Sequence, residues 1–340
     1  MNLKKIKKII LGTALLLLSL FISNTANALT ISPPRFEINA DPGEVVNHDI
    51  LITNESDTDE IYYVSYSNFE AQGETGTPTF VNATEGLGTW ISTNESIRIP
   101  AQKSELVNLK ISVPKNADPG GYFAAVFWGT SPENGEGVSI GAKTGALVLL
   151  TVNGDISEQG GILEFATKNK QNFYTSLPVT FYYRFQNSGD NRIKPEGDIV
   201  MKNMIGLTSA KVPGNPVDGN ILPKSIRKFE TTWQGKDGAI EVLDKDKGGF
   251  FDNVKREWRN FAFGHYKAEL TLAYGVKNEV STATYSLWVF PWHLTLFVIV
   301  LAIIIFIVGR WLIRRYNKWV ISQAEMMLKR EQAQNQGMNQ

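Results

Sequence analysis

The sequence predicts an all-β body of two tandem immunoglobulin-like β-sandwich domains, followed by a single transmembrane α-helix. Three observations predict it. From Leu29 to Leu287 the chain is built of short runs in which apolar and polar residues alternate, separated by Asn, Asp, Gly and Pro clusters. That is the pattern of half-buried strands. Two stretches 144 residues apart repeat one spacing, Gly120, Tyr122, Ala124 and Gly264, Tyr266, Ala268. Near the C-terminus, Leu294 to Val308 is a fifteen-residue run in which Thr295 alone is polar.

The elements follow in order. Residues 1–28 read as a secretory signal peptide. Lys4, Lys5, Lys7 and Lys8 form a basic region, an apolar run extends from Ile9 to Ile22, and Ala26-Asn27-Ala28 is a small-residue cleavage site ending at Ala28. An uncleaved anchor helix is the other reading, disfavoured because the apolar run is short for a span. Residues 29–155 form the first predicted sandwich. "VVNHDILITN" places Val46, His48, Ile50 and Ile52 on one face, and "LVNLKISV" does the same for Val107, Leu109, Ile111 and Val113. "GYFAAVFWG" and "GALVLLTV" are nearly continuous in apolar residues and read as central strands. The connecting "TSPENGEG" reads as a hairpin loop.

Residues 156–288 form the second predicted sandwich, in which "SLPVTFYYRFQNSGD" alternates Val179, Phe181, Tyr183 and Phe185. "HDILITNESD" answers to "VTFYYRFQNSGD", "IPAQKSELVNLKI" to "LPKSIRKFETTW", and "GGYFAAVFWG" to "GHYKAELTLAYG". Two copies of one plan at this long period are tandem domains rather than solenoid units. The matched Gly-x-Tyr-x-Ala is read as a sandwich corner. The glycine permits a tight turn, the tyrosine hydroxyl reaches backbone upstream, and alanine stands where an antibody-type domain carries cysteine.

Residues 289–313 are the expected spanning helix, flanked by Trp288, Trp292, Trp311, Tyr316 and Trp319 in the manner of interfacial aromatic belts. Arg310, Arg314, Arg315 and Lys318 follow. Excess positive charge marks the cytoplasmic side, so residues 314–340 are expected as a short basic cytoplasmic tail. Signal peptide and tail agree on one topology: plasma membrane, single pass, ectodomain outside.

Chemistry is harder to find. There is no cysteine in the 340 residues, which excludes disulfides and thiol chemistry. Three histidines, His48, His265 and His293, lie far apart in sequence and are expected as structural or interfacial residues. "GVSIGAKTG" has Ala142 where a phosphate loop needs glycine before Lys143, and "DKDKGG" has Lys255 where a calcium loop needs its final glutamate. No catalytic residue, cofactor or metal site is expected. Asn54, Asn82 and Asn94 lie in N-x-S/T sequons and read as turn residues. Residues 29–155 carry 6 basic and 17 acidic residues, a net −11, whereas 156–288 carry 18 and 15, a net +3. An acidic outer half argues against nucleic acid as a partner.

"GGFFDNVKREWRNF" spaces Phe251, Val254, Trp258 and Phe261 at helical intervals, with Asp252 as a candidate cap. Phe250–Phe261 has two readings: a helix closing an open end of the second sandwich on its aromatic stripe, or an amphipathic helix on the outer leaflet, with Lys255, Arg256 and Arg259 on its polar face.

The order of signal peptide, acidic sandwich, second sandwich, spanning helix and basic tail resembles the WxL-interacting surface proteins of Gram-positive bacteria. "DPGEVVNHDILITNESD" and "RIPAQKSELVNLKISVPKNADPGGYFAAVFWG" carry the resemblance, with the layout from Met1 to Gln340. The resemblance implies a peptidoglycan-binding first domain and a second domain that binds a WxL-bearing protein. "VPKNADPGGYFAA" also looks like a generic extracellular module, so no binding residue carries over. The expectation is a non-enzymatic, membrane-anchored surface adaptor for a cell-wall polymer or an exported surface protein. The alternative is a pilus-chaperone-like assembly factor that adds a strand to exported subunits. An open edge near Val46–Thr53 or Val179–Gln186 would favour the alternative, and Pro33 and Pro34 are read as guarding the first strand's edge.

Overall fold

The computed structural model describes residues 29–132, 143–234 and 248–337. The signal peptide with its cleavage residue Ala28 lies outside the described residues. So do most of the "TSPENGEG" loop, the start of "GVSIGAKTG" and the start of "DKDKGG".

The first sandwich contains β1 (Leu29–Ser32), β2 (Arg35–Ala40), β3 (Val45–Asn54), β4 (Glu60–Ala71), β5 (Pro78–Asn82), a short helix α1 (Leu87–Trp90), β6 (Ile91–Ser92), β7 (Ser96–Ile99), β8 (Ser104–Ser112), β9 (Gly120–Gly129) and β10 (Lys143–Val152). One sheet has the order β1-β3-β8-β6, and the other β2-β10-β9-β4-β5, with β7 also on β4. The second sandwich contains β11 (Gly160–Thr167), β12 (Phe173–Tyr174), β13 (Val179–Asn187), β14 (Glu196–Asn203), β15 (Thr208–Pro213), β16 (Ser225–Trp233), β17 (Gly264–Tyr274) and β18 (Glu279–Val289). Its sheets are β11-β13-β16 and β12-β18-β17-β14-β15. Between β16 and β17 lies helix α2 (Phe250–Arg259), and after β18 the long helix α3 (Trp292–Gly337).

The alternating patterns predicted from sequence set the cores. Val107, Leu109, Ile111 and Val113 are all buried, and Ile50 and Ile52 on the neighbouring strand β3 are buried beside them, whereas Val46 and His48 toward the start of β3 are half-exposed. Val179, Phe181, Tyr183 and Phe185 are completely buried in the second core. The two apolar runs read as central strands are β9 and β10, adjacent inside their sheet. Each domain has one core of its own, from Ile31 to Val152 and from Phe165 to Val289.

Both domains share a feature that local patterning does not reveal. The first strand divides between the two sheets. β1 pairs antiparallel with β3, then the chain crosses at Pro33 and Pro34 and continues as β2, parallel to β10. In the second domain β11 pairs with β13, and β12 runs parallel to β18. The two prolines, which donate no N–H, therefore stand where the chain crosses from the edge of one sheet to the edge of the other. β13 is paired with β16 over its whole length and with β11 from Phe181 to Asn187. β3 is paired with β8 throughout but with β1 only from Leu51 to Asn54, so among the described residues the stretch Val45–Ile50 keeps an open edge.

Candidate functional site

The corner residues predicted from sequence occupy equivalent places. Tyr122 donates its hydroxyl to the Asp118 carbonyl at 3.0 Å and packs on Trp90, ring centroids 4.6 Å apart. Burial raises its pKa above the ordinary phenol value. Tyr266 packs on Trp233 at 4.9 Å and accepts the Phe263 amide on its hydroxyl at 3.3 Å. Gly120 and Gly264 both have positive φ, +144° and +106°, a region that L side chains rarely adopt. Ala124 and Ala268 are fully buried. These residues build the scaffold.

Sequence reasoning passed over a pair of asparagines that hold the strand ends. Asn54, at the end of β3, is completely buried. Its amide donates to the carbonyls of Thr58 (2.8 Å) and Ile99 (3.0 Å), and its oxygen accepts the Ser56 amide (3.0 Å) and the Tyr62 hydroxyl (2.9 Å). Asn187, at the matching end of β13, donates to Asn191 (2.7 Å) and Ile221 (2.9 Å) carbonyls and accepts the Gly189 amide (2.9 Å). The signal was the Asn that closes the alternating run in both halves. It marks a buried clasp, not a solvated turn. The sequon at Asn54 is thus unreachable in the folded domain, while Asn82 and Asn94 are exposed.

The histidines stay apart. His48 packs on Phe36, His265 on Trp288, and His293 on Glu257 of α2. Among the described residues no cluster of three or more His, Asp or Glu side chains is arranged to hold a metal.

The place where chemistry gathers is the junction of the two domains. The β4–β5 hairpin loop reaches the second domain. Arg184 on β13 grips the Glu74 carboxylate through two nitrogens, and the Lys228 amide of β16 donates to the Glu74 carbonyl at 2.7 Å. The Arg184 bonds hold the Glu74 carboxyl below its ordinary pKa. A second contact joins Arg35 of β2 to Asp218, Nη2 to Oδ2 at 3.0 Å. Lys194 also pairs with Asp218 and, ahead of Arg35, lowers its pKa. Glu37 accepts from Asn220 at 2.8 Å and lies 3.8 Å from Arg192, whose guanidinium is largely buried against Thr151. Backbone contact adds Gly121 N–H to the Asp190 carbonyl at 2.9 Å.

Between these contacts lies a cleft of about 190 Å³, whose walls include Arg35, Phe69, Leu149, Asn220, Ile226 and Arg227. Arg227 on β16 is its most informative residue. A Cβ added to Gly76 of the β4–β5 loop would sit 2.3 Å from the Arg227 Cζ, and one on Gly219 would sit 2.7 Å from it. The guanidinium therefore fits between two glycines, one from each domain. It also lies over Phe229 at 5.1 Å and donates Nη1–H to the Asn220 carbonyl at 2.6 Å. Its Nε is buried without a partner, as is the Asn220 Oδ1. Among the described residues no carboxylate pairs with Arg227, and desolvation, with Arg35 nearby, lowers its pKa. A part-buried cation without a carboxylate partner has the charge and donors to accept an anionic group.

No family model matches the chain, and none of the curated proteins matches it. Among solved structures, the chain is similar to the class 5 fimbriae chaperone CfaA at 12% identity and a TM-score of 0.38, covering 76% of this chain and 99% of that one. It is similar to the chaperone DraB of E. coli at 9% identity and 0.33, covering 77% and 97%. The CupB2 chaperone of Pseudomonas aeruginosa gives 7% and 0.31, covering 75% and 98%. Likeness at these scores carries no function. The strand order and the two cores define the class directly: a protein of two immunoglobulin-like β-sandwiches joined by a charged interface. Among the described residues one helix, in its segment Trp292–Met327, is long and apolar enough to cross a membrane.

Proposed function

We propose that this protein is a non-enzymatic, membrane-anchored surface adaptor. α3 crosses the plasma membrane, the two sandwiches stand outside, and the cleft at their junction takes an anionic group of a cell-wall polymer or an exported surface protein. The observation that carries the reading is Arg227, a cation enclosed by both domains to which no carboxylate pairs among the described residues. Because Gly76 and Gly219 come from different domains, the site exists only while the Arg184–Glu74 and Arg35–Asp218 contacts hold the domains together. Anchorage is supported by α3 itself, whose side chains from Leu296 to Val308 are largely exposed and apolar. An exposed apolar surface of that length is stable in lipid and not in water. The layout that resembles WxL-interacting surface proteins agrees with a wall polymer or an exported protein as partner.

A second reading, strand addition to an exported subunit, draws on the open edge of β3 at Val45–Ile50. Against it stands β13, which is paired on both sides from Phe181 to Asn187. The test is to place the full chain in lipid nanodiscs and incubate it separately with purified wall sacculi and with total exported protein. The adaptor reading expects saturable retention on one of them. Retention on neither contradicts it. Retention of exported protein that survives Arg227→Ala but is lost on Val46→Pro favours strand addition.

A further inference from the structure

Helix α2 is turned inside out for a soluble helix. Phe251 is 72% exposed, Trp258 70% and Phe261, just past its end, 61%, whereas Glu257 is completely buried. The sequence reading in which the aromatic stripe closes the second sandwich is therefore overturned. The reason lies about 40 residues downstream. The Glu257 carboxylate accepts from His293 Nδ1 at 2.6 Å and from the Leu294 amide at 2.8 Å, at the first turn of α3. That amide is one of the N–H groups that a helix start leaves without a partner, and a carboxylate also suits the positive end of the helix. Asn253 lies 3.3 Å from the other His293 nitrogen, and Phe250 packs against the same ring. The side of α2 that carries Phe250, Asn253 and Glu257 is thus spent on clamping α3.

Asp252 does not take the cap position expected of it. Gly249 does, and Asp252 at the third helical position accepts the Gly249 amide at 3.0 Å.

We infer that the outward face of α2 lies in the headgroup–acyl boundary of the bilayer that α3 crosses, so that α2 fixes the tilt of the sandwiches over the membrane. This rests on the anchored reading of α3. Three observations assign lipid as the occupant. Phe251 packs edge-on against Phe297, ring centroids 6.4 Å apart, and Phe297 lies within the apolar segment Leu294–Val308. The aromatic face of α2 is therefore continuous with the lipid-facing surface of α3 and at the height of its first turns. Phe251 and Trp258, seven residues apart, share one helix face, and Lys255 and Arg259 flank them. Aromatic rings with adjacent basic side chains are the composition of a helix lying in an interface that carries phosphate headgroups. Trp288 and Trp292, both about half exposed, stand beside it where interfacial tryptophans are enriched.

The chain lacks cysteine, so single nitroxide labels can be introduced cleanly. The full chain carrying Phe251→Cys, Trp258→Cys, Val300→Cys or Asn94→Cys is reconstituted in vesicles of phosphatidylcholine and phosphatidylglycerol. Collision with oxygen, which concentrates in lipid, is compared with collision with a water-soluble nickel chelate. Labels at 251, 258 and 300 are expected to favour oxygen several-fold over the label at 94. If 300 reports lipid while 251 and 258 behave as 94 does, the inference is overturned and the anchor stands. Shielding of 251 and 258 from both reagents means a protein covers the face, which also overturns it. If 300 itself reports water, the anchored reading fails and this inference with it.

Discussion

Asn54→Ala tests the claim that each sandwich is locked by a buried asparagine at the end of one central strand. The substitution removes the acceptor shared by the Ser56 amide and the Tyr62 hydroxyl, and the donor that serves the Ile99 carbonyl. Thr58 keeps a partner, because Ser56 Oγ also reaches its carbonyl at 2.9 Å. Two buried donors left without an acceptor, at about 1–3 kcal/mol each, with some relaxation, give a loss of about 3 kcal/mol. Hydrogen exchange of the intact chain in detergent reads this domain by domain. Core amides of β8 and β9 should exchange about 100-fold faster, while those of β13 and β17 change far less. Asn187→Ala should reverse the pattern, and Asn94→Ala, at an exposed position, should change neither. Acceleration below about 3-fold in β8 and β9 would show that the clasp is not what holds the strand ends, and the reasoning would fail.

Other outcomes follow from the junction and from α2. The Glu74 and Asp218 carboxyls have pKa values lowered by their folded-state cations. Their contribution is therefore complete above the unfolded-state values, about 4, and is lost as pH falls through the lower folded-state values. Distance distributions between spin labels on the two domains should be narrow at pH 7 and broaden below about pH 4; an unchanged width contradicts the charged lock. Gly76→Ala should drive a methyl group into the Arg227 guanidinium and weaken ligand retention about 10-fold or more, with hydrogen exchange in both cores unchanged. Glu257→Ala removes the carboxylate that holds His293 and the Leu294 amide. It should raise proteolytic cleavage within 248–263 in detergent by at least several-fold, and equal cleavage rates would show that the clamp is not formed.

How far the sequence foretells this molecule depends on how local each feature is. Alternation at Val179, Phe181, Tyr183 and Phe185 names a strand and its buried face at once, because the period of a strand is also its geometry. The helical spacing of Phe251, Trp258 and Phe261 names a helix but not the side it buries. That side was decided by His293 and Leu294, beyond two intervening strands. The junction was less legible still. Arg35 and Asp218, or Glu74 and Arg184, are 183 and 110 residues apart, and nothing in the local pattern around either partner points to the other. The parallel pairing of β2 with β10 is non-local in the same way. Asn54 and Asn187 were visible as a repeated residue, yet a polar residue at the end of a strand reads as a turn unless its burial is known.

The central claim is that the enclosed guanidinium of Arg227 is the point of capture. Its most direct measurement is the affinity of the nanodisc-embedded chain for the retained wall polymer or exported protein, compared between the native chain and Arg227→Ala. Losing one charge-assisted contact of about 1.5–3 kcal/mol predicts an affinity at least 10-fold weaker. Folding stability should change little, since the desolvation relieved offsets the lost bond to the Asn220 carbonyl and the contact with Phe229. Equal affinity for the two chains would contradict the account.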